Sequence, residues 1–347
     1  MQERVPVGVL GATGAVGQRF LQLLSSHSQF ALIRLGASNQ SAGKAYRQAV
    51  KWLLDSDIPS EFRDMRVVRC TPSDFAGCRL VFSALSSGVA GPTETQFAQA
   101  GFGVFSNAGD HRGDEDVPVL VPAVNGAHLQ RVRVQTTFAS GGFIVTKANC
   151  STAGLVIGIA PLVHSFGVEH LFVATLQALS GAGYPGVASL DIADNVIPYI
   201  PDEEEKLQHE PSKILDQSFP ITAHCTRVPV TDGHTLCVSV RLRQDASLVQ
   251  VISALQQNQP YQALQASFPL TFNYESLHVL EDRPPQPRLD RMRGNGLTTT
   301  IGRIRGGNRD FSFVIVSHNT LIGAASAGMK AAELALESGL VLPHNKP

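Results

Sequence analysis

The chain has 347 residues, and its 28 lysines and arginines stand against 29 acidic residues for a net charge of -1. A balance this close to zero gives no general field for nucleic acid or an anionic membrane, and the length exceeds what one core usually serves, so two domains and small-molecule chemistry are expected. Five cysteines without paired spacing read as reduced intracellular thiols, not as a disulfide framework.

The opening Met1-Gln2-Glu3-Arg4 is charged and lacks the apolar run of a signal peptide, and the longest apolar stretch, residues 154–163, is about half of the ~20 needed to cross a bilayer. A cytoplasmic protein without a membrane span is expected. Val5-Pro6-Val7-Gly8-Val9-Leu10 reads as a buried strand, after which Val16, Phe20, Leu23 and Leu24 recur at helical spacing. Strand-like runs follow at residues 31–36, 65–69, 79–85, 103–106 and 117–121, with a helical segment at 93–100. This alternation predicts an α/β, Rossmann-like domain: a parallel sheet with crossover helices.

Beyond Cys150 the texture changes. Leu155, Val156, Ile159, Leu162 and Val163 make a helix apolar on most sides, which predicts a buried helix and a second core. Runs at 171–176, 236–242, 297–304 and 311–316, with an amphipathic helix near 248–257, predict an α+β domain whose mixed or antiparallel sheet carries helices on one face. Residues 283–293 contain three prolines and read as a loop. The alanine-rich segment 321–336 reads as a helix returning to the first domain. The predicted division is residues 1–148 with 318–347 for dinucleotide binding, and 149–317 for catalysis and dimerisation.

Gly11-Ala12-Thr13-Gly14-Ala15-Val16-Gly17 follows the first strand and opens a helix, where backbone N–H groups and the helix dipole can hold a pyrophosphate. A tight strand-to-helix turn would use the same glycines. No acidic residue stands at the end of the second strand to grip a ribose. Its place is taken by Ser38-Asn39-Gln40-Ser41-Ala42-Gly43-Lys44, whose hydroxyls and lysine suit a 2′-phosphate and predict NADP over NAD; they also suit an ordinary polar loop.

Asn149-Cys150-Ser151-Thr152 lies where the strand-like run 143–145 meets the buried helix. A cysteine at a helix start is expected to have a lowered pKa and to be nucleophilic. The other four cysteines lack that setting. His234 follows an Asp-Gly turn and can serve as proton acceptor, although alone it is an ordinary turn residue. Cys225, His234 and Cys237 lack the paired spacing of a metal centre, so no metal is assigned. Taken singly, Arg112 reads as a solvated loop charge and Asp202-Glu203-Glu204-Glu205-Lys206 as the acidic first turn of a helix.

Together these segments resemble the aspartate-semialdehyde dehydrogenase family, particularly its fungal and archaeal branch, over nearly the whole chain. The resemblance adds Val117 to Pro122, Gln177-Ala178-Leu179-Ser180-Gly181-Ala182-Gly183-Tyr184-Pro185-Gly186, Asp194 to Pro198, Arg227 to His234 and Ser317-His318-Asn319-Thr320. It implies that Cys150 is the nucleophile, His234 the acid/base and Gln177 the group orienting a thioacyl intermediate. Arg227 would bind the substrate α-carboxylate, Glu203 its amino group, and Arg112 and Lys206 the acyl phosphate, with Asn149 also in the substrate site. Gly11, Thr13, Gly14, Ala15 and Val16 would hold the NADP pyrophosphate; Ser38, Ser41, Lys44 and Ser83 join the cofactor contacts, and Ser180, Gly181, Gly183 and Asn319 line the nicotinamide side.

The implied reaction is NADPH-dependent reduction of L-aspartyl 4-phosphate to aspartate semialdehyde and phosphate, for threonine, methionine and lysine synthesis, in a homodimer or homotetramer. Lys147 departs from the family pattern, which usually has asparagine there, and a cation so near Cys150 bears on the thiol and the acyl substrate. Other readings are a malonyl-CoA reductase-like or specialised-metabolism paralogue, an N-acetyl-glutamyl-phosphate reductase, and a catalytically silent NADP-binding sensor. Retention of Glu203, Arg227 and Lys206 argues for a free amino acid carrying phosphate, and intact Cys150, Gln177 and His234 against the sensor.

Overall fold

A computed structural model describes residues 4–257 and 276–341; the charged opening at residues 1–3 and the last residues of the expected dinucleotide-binding domain, 342–347, lie outside the described residues. The N-terminal part builds a seven-stranded sheet from β1 (Val5–Leu10), β2 (Phe30–Ala37), β3 (Val67–Arg69), β4 (Leu80–Ser83), β5 (Gly103–Ser106), β6 (Val119–Leu120) and β7 (Phe143–Lys147). Its order is β3-β2-β1-β4-β5-β7-β6, and every pairing is parallel. Val7, Val9, Phe82, Val104, Phe105 and Val145 are buried, as required when helices cover both faces.

Helices α1 (Ala15–Leu24) and α2 (Ala90–Gln99) cross between these strands. The order reverses at β1 and β4, which creates a crevice at the carboxyl edge of the sheet. Gly11, Ser83 and, past β7, Cys150 all sit at that edge. The runs expected at 65–69, 79–85 and 117–121 occur with shorter bounds as β3, β4 and β6, whereas β1 and β5 keep the expected bounds and β2 extends one residue further at each end.

The second sheet has the order β11-β12-β10-β8-β9 among the described residues, from β8 (Val168–Gln177), β9 (Ile221–Arg227), β10 (His234–Ala246), β11 (Leu277–Leu280) and β12 (Thr299–Ser317). It is mixed: β10 runs antiparallel to β8 and β12, while β8 with β9 and β11 with β12 are parallel. Helix α3 (Cys150–Phe166) packs on this sheet, so its apolar surface lies inside the core that includes Leu155, Ile159, Val238, Phe313 and Ile315. Buried and exposed residues alternate along β9 and β10, which leaves the opposite face open.

Three sequence expectations change here. The runs 297–304 and 311–316 are one strand, β12, kept continuous across Arg303, Gly306 and Asn308 at positive φ. The proline-rich loop at 283–293 contains a short helix, Pro287–Asp290, because proline suits its first turn and Asp290 takes two hydrogen bonds from Arg283, at 2.8 and 2.7 Å. Strand β9 is not among the predicted runs, although Ile221, Ala223 and Cys225 alternate along it.

Helices α4 (Glu203–Leu215) and α5 (Leu248–Gln257) pack beside α3, and α6 (Ser326–Glu337) packs on the first sheet. Met329, Ala332 and Ala335 enter the core with Phe20 and Phe82. A fully buried contact fastens α6 to the turn after α1: His27 Nδ1 accepts the N–H groups of Gln29 and Phe30, leaving Nε2–H for Glu333 at 3.1 Å.

Candidate active site

The local chain at the nucleophile is organised by its cap. Asn149 is extended, and its side-chain oxygen accepts the N–H groups of Ser151 at 2.9 Å and Thr152 at 3.4 Å, which starts α3 at Cys150. Those two donors are taken by the cap. The Cys150 sulfur lies 3.2 Å from His234 Nε2, although the two residues are 84 apart in sequence. His234 opens β10, and its Nδ1 accepts the N–H of Ala178 at 3.0 Å. With Nδ1 accepting, the neutral ring carries its hydrogen on Nε2, directed at sulfur. Burial, then Arg227, pushes the imidazole down to about 3, so it stays neutral at physiological pH.

The expected lowering of the thiol pKa is not what the free site produces. Burial, then Glu203, raises Cys150 above its ordinary value despite Lys147, Arg112 and Arg227 nearby. Burial takes Cys225 up to about 11 and Cys78 up to about 12, as expected of apolar thiols.

Glu203 opens α4 and is 8 % exposed. It accepts from Asn149 Nδ2 at 2.9 Å, Lys206 Nζ at 3.0 Å and Gln177 Nε2 at 3.0 Å. Burial alone would raise its carboxyl; Lys206, Gln177 and Asn149 together bring it below the ordinary carboxylate range. Gln177 ends β8 and Arg227 ends β9, directly paired in the sheet register. Arg227 donates to the Ala178 carbonyl at 2.8 Å. A Cβ on Gly181 would stand 2.7 Å from Arg227 Nη1 and 3.0 Å from His234 Cε1, so a side chain there would displace the Arg227 guanidinium.

Arg112 is neither solvated nor loose. Its guanidinium donates to the Lys147 carbonyl at 3.0 Å, the Asn107 carbonyl at 3.2 Å and Glu210 at 2.9 Å. Its loop is held where Asp110 accepts the N–H groups of Gly88 and Gly91 beside α2. Lys147 is buried, donates to the Ala148 carbonyl at 2.9 Å, and is brought down to about 8 by burial, then Arg112. With Lys330 it lines a cavity whose wall includes Gly323, and a Cβ on Gly323 would meet Cys150 Cβ at 3.0 Å.

At the other end of the carboxyl edge, Gly11 has φ +72 and a Cβ there would lie 2.6 Å from the Ala84 carbonyl, so the turn needs glycine. Helix α1 starts at Ala15 behind Gly14, with no side-chain cap and no acidic residue in its first turn, which fits a bound pyrophosphate. Thr13, Ala15 and Val16 are partly exposed beside it. Ser38 and Lys44 are exposed and Ser41 half-buried in one turn after β2, where the Ser38 carbonyl accepts from Ser41 and Ala42.

Ser83, expected among the cofactor contacts, ends β4 at the carboxyl edge and is fully buried, with its hydroxyl beside the Glu94 carboxyl. Asn319 is buried and braces the site, accepting from Gly233 at 2.9 Å and donating to Ser180 at 2.8 Å, while Gly181 and Gly183 are exposed. Sequence reasoning missed Glu210, which shares the inner stripe of α4 with Glu203 and Lys206; the spacing of the three was the available signal. Among the described residues no group of three potential ligands could hold a metal ion, and no helix is long and apolar enough to cross a membrane.

A dinucleotide crevice joined to a cysteine at a helix start, with histidine on its sulfur, defines a nicotinamide-dependent oxidoreductase that works through a thiol. The chain matches the semialdehyde dehydrogenase NAD-binding domain over residues 6–132 and the semialdehyde dehydrogenase dimerisation domain over residues 159–322. It is 44% identical to an aspartate-semialdehyde dehydrogenase of Candida albicans, covering 94% of this chain and 96% of that protein. It is 42% identical to that of Archaeoglobus fulgidus, covering 97% and 100%. A crystal structure of the Candida albicans enzyme with NADP superposes with TM-score 0.88 at 42% identity, covering 97% of this chain and 100% of that one. The chain belongs to the aspartate-semialdehyde dehydrogenase family.

Proposed function

We propose that this protein is an NADP-dependent aspartate-semialdehyde dehydrogenase: it reduces L-aspartyl 4-phosphate to aspartate semialdehyde, the precursor of threonine, methionine and lysine. The observation that carries the reading is Cys150, first residue of a buried helix at the carboxyl edge of the dinucleotide sheet, with His234 Nε2 at 3.2 Å from its sulfur.

In this reading the Cys150 sulfur attacks the acyl carbon as the thiol gives up its proton, the bond from that carbon to the phosphate oxygen breaks, and the phosphate departs with the proton, leaving a thioester on the enzyme. When bound, NADPH would supply the hydride to the thioester carbon; the carbon–sulfur bond then breaks to release the aldehyde, and the Cys150 sulfur takes up a proton from solvent. Arg112 and Lys206 hold the phosphate, Arg227 the α-carboxylate and Glu203 the ammonium. Glu203 is already ionised by its three donors, so it meets the ammonium without a proton change. Gln177 orients the acyl group. His234, with its hydrogen on Nε2, donates first to sulfur and then to oxygen as negative charge develops there. Acid/base transfer through this ring requires the Ala178 contact to open, because Nδ1 must then carry a hydrogen.

Gly11, Thr13, Gly14, Ala15 and Val16 would hold the pyrophosphate and Ser38, Ser41 and Lys44 the 2′-phosphate. Ser180, Gly181, Gly183 and Asn319 shape the nicotinamide side. Residues 1–148 with 318–347 form the cofactor domain and 149–317 the catalytic one, which pairs two chains through the open face of its sheet. That face exposes Phe172, Leu176 and Cys237, and the matched dimerisation domain spans it. The test is phosphate-dependent formation of NADPH from NADP and L-aspartate semialdehyde. Activity that requires phosphate and prefers NADP over NAD is expected; a folded, NADP-binding protein that gives no signal would overturn the reading.

A further inference from the structure

Glu210 has no part in the reaction steps above, yet it touches both halves of the site. It stands on α4 and is 8 % exposed. One carboxylate oxygen accepts Arg112 Nη1 at 2.9 Å, and the other accepts the backbone N–H of Asn149 at 2.7 Å. Asn149 is the residue whose side chain caps the helix that begins at Cys150. We propose that Glu210 is a positioning residue that couples the anion grip of Arg112 to the backbone of the nucleophile, so that the phosphate and the acyl carbon are held in one register. The proposal deepens the reading above and rests on it.

The geometry is specific for a carboxylate. Of the five N–H donors of Arg112, one each goes to Lys147, Asn107 and Glu210, which leaves two for a phosphate. A carboxylate can only accept, so it serves two donors facing it from different segments. Glutamine would turn an NH2 group toward one of them, and aspartate is one methylene too short to span both. The charge matters as well: the half-buried Arg112 lies near the buried Lys147, and Glu210 neutralises one of the two charges. The net positive charge that remains suits a phosphate dianion.

The test uses the full-length enzyme with Glu210→Gln, Glu210→Asp, Arg112→Lys and the double variant Arg112→Lys/Glu210→Gln. Turnover is measured against phosphate, semialdehyde and NADP separately. In parallel, inorganic phosphate is titrated as protection of Cys150 against iodoacetamide, a readout that needs no turnover. Both Glu210 variants are expected to raise the KM for phosphate, and the phosphate needed for protection, about tenfold, the effect of one charge-assisted hydrogen bond. The KM values for semialdehyde and NADP should move less than about twofold, and the double variant should be no worse toward phosphate than Arg112→Lys alone. Equal losses toward all three reactants, additive effects in the double variant, or an unchanged phosphate KM would each sink the positioning role. Wild-type enzyme that neither turns over nor is protected by phosphate would instead overturn the underlying reading, and the proposal with it.

Discussion

The two ends of the carboxyl edge are built on opposite plans. Around Cys150 the polar groups already satisfy one another: Glu203 takes Asn149, Gln177 and Lys206, Glu210 takes Arg112 and Asn149, and His234 sits between Ala178 and sulfur. At the glycine loop the start of α1 has no side-chain cap, and Ser38 and Lys44 are exposed. The difference follows from burial. Charges covered by protein around Cys150 cannot wait unpaired for substrate, so they are held in place by each other and are oriented before it arrives. The N–H groups of an exposed helix start can be hydrated until a dinucleotide brings its own phosphates.

The comparison breaks most visibly at the sulfur. Cys150→Ser is expected to lower phosphate-dependent turnover by roughly 10⁴-fold or more, while NADP binding, followed by fluorescence, stays within about twofold because the crevice is built separately. A matching loss of NADP binding would mean that the two ends are one structure. His234→Asn should cost roughly 10²–10⁴-fold in kcat, with little change in the KM for NADP; a loss confined to KM would remove the ring from the chemistry.

The next effect sharpens the buried-charge half. Burial takes Lys330 from 10.5 down to about 8, so between those values the unfolded chain holds a proton that the folded chain has lost. The penalty is full below about pH 8 and shrinks as pH rises, by up to roughly 1.4 kcal/mol per pH unit. Urea unfolding should therefore show Lys330→Met gaining more over wild type at pH 7.5 than at pH 10. A gain independent of pH would contradict the burial account. The smallest effect belongs to the open crevice: Lys44→Ala should raise the KM for NADP several-fold and leave that for NAD unchanged, consistent with one exposed ion pair. Equal changes for both cofactors would take Lys44 off the 2′-phosphate.

Much of the fold and part of the site are legible in the residues themselves. The glycine spacing after the first strand, the helix-start cysteine and the parallel strands are readable because each depends on neighbours within a few residues. Arg112 and the acidic start of α4 read as solvated charges, since nothing local reveals that Arg112 reaches Lys147, Asn107 and Glu210. Strand β9 is hard to read even though its alternation is present, because its polar residues, His224 and Thr226, weaken the apolar pattern.

From sequence alone came the two-domain division as an expectation, the parallel first sheet, the candidate nucleophile and, through resemblance, the family. Only the tertiary structure decided the direction of the thiol pKa, the hydrogen on His234 Nε2 and the place of Glu210. Local pattern sets helices, strands and turns because backbone sterics and periodic burial act over a few residues. Protonation, tautomer and charge pairing depend on desolvation and on partners brought from distant segments, and those exist only once the chain has closed on itself.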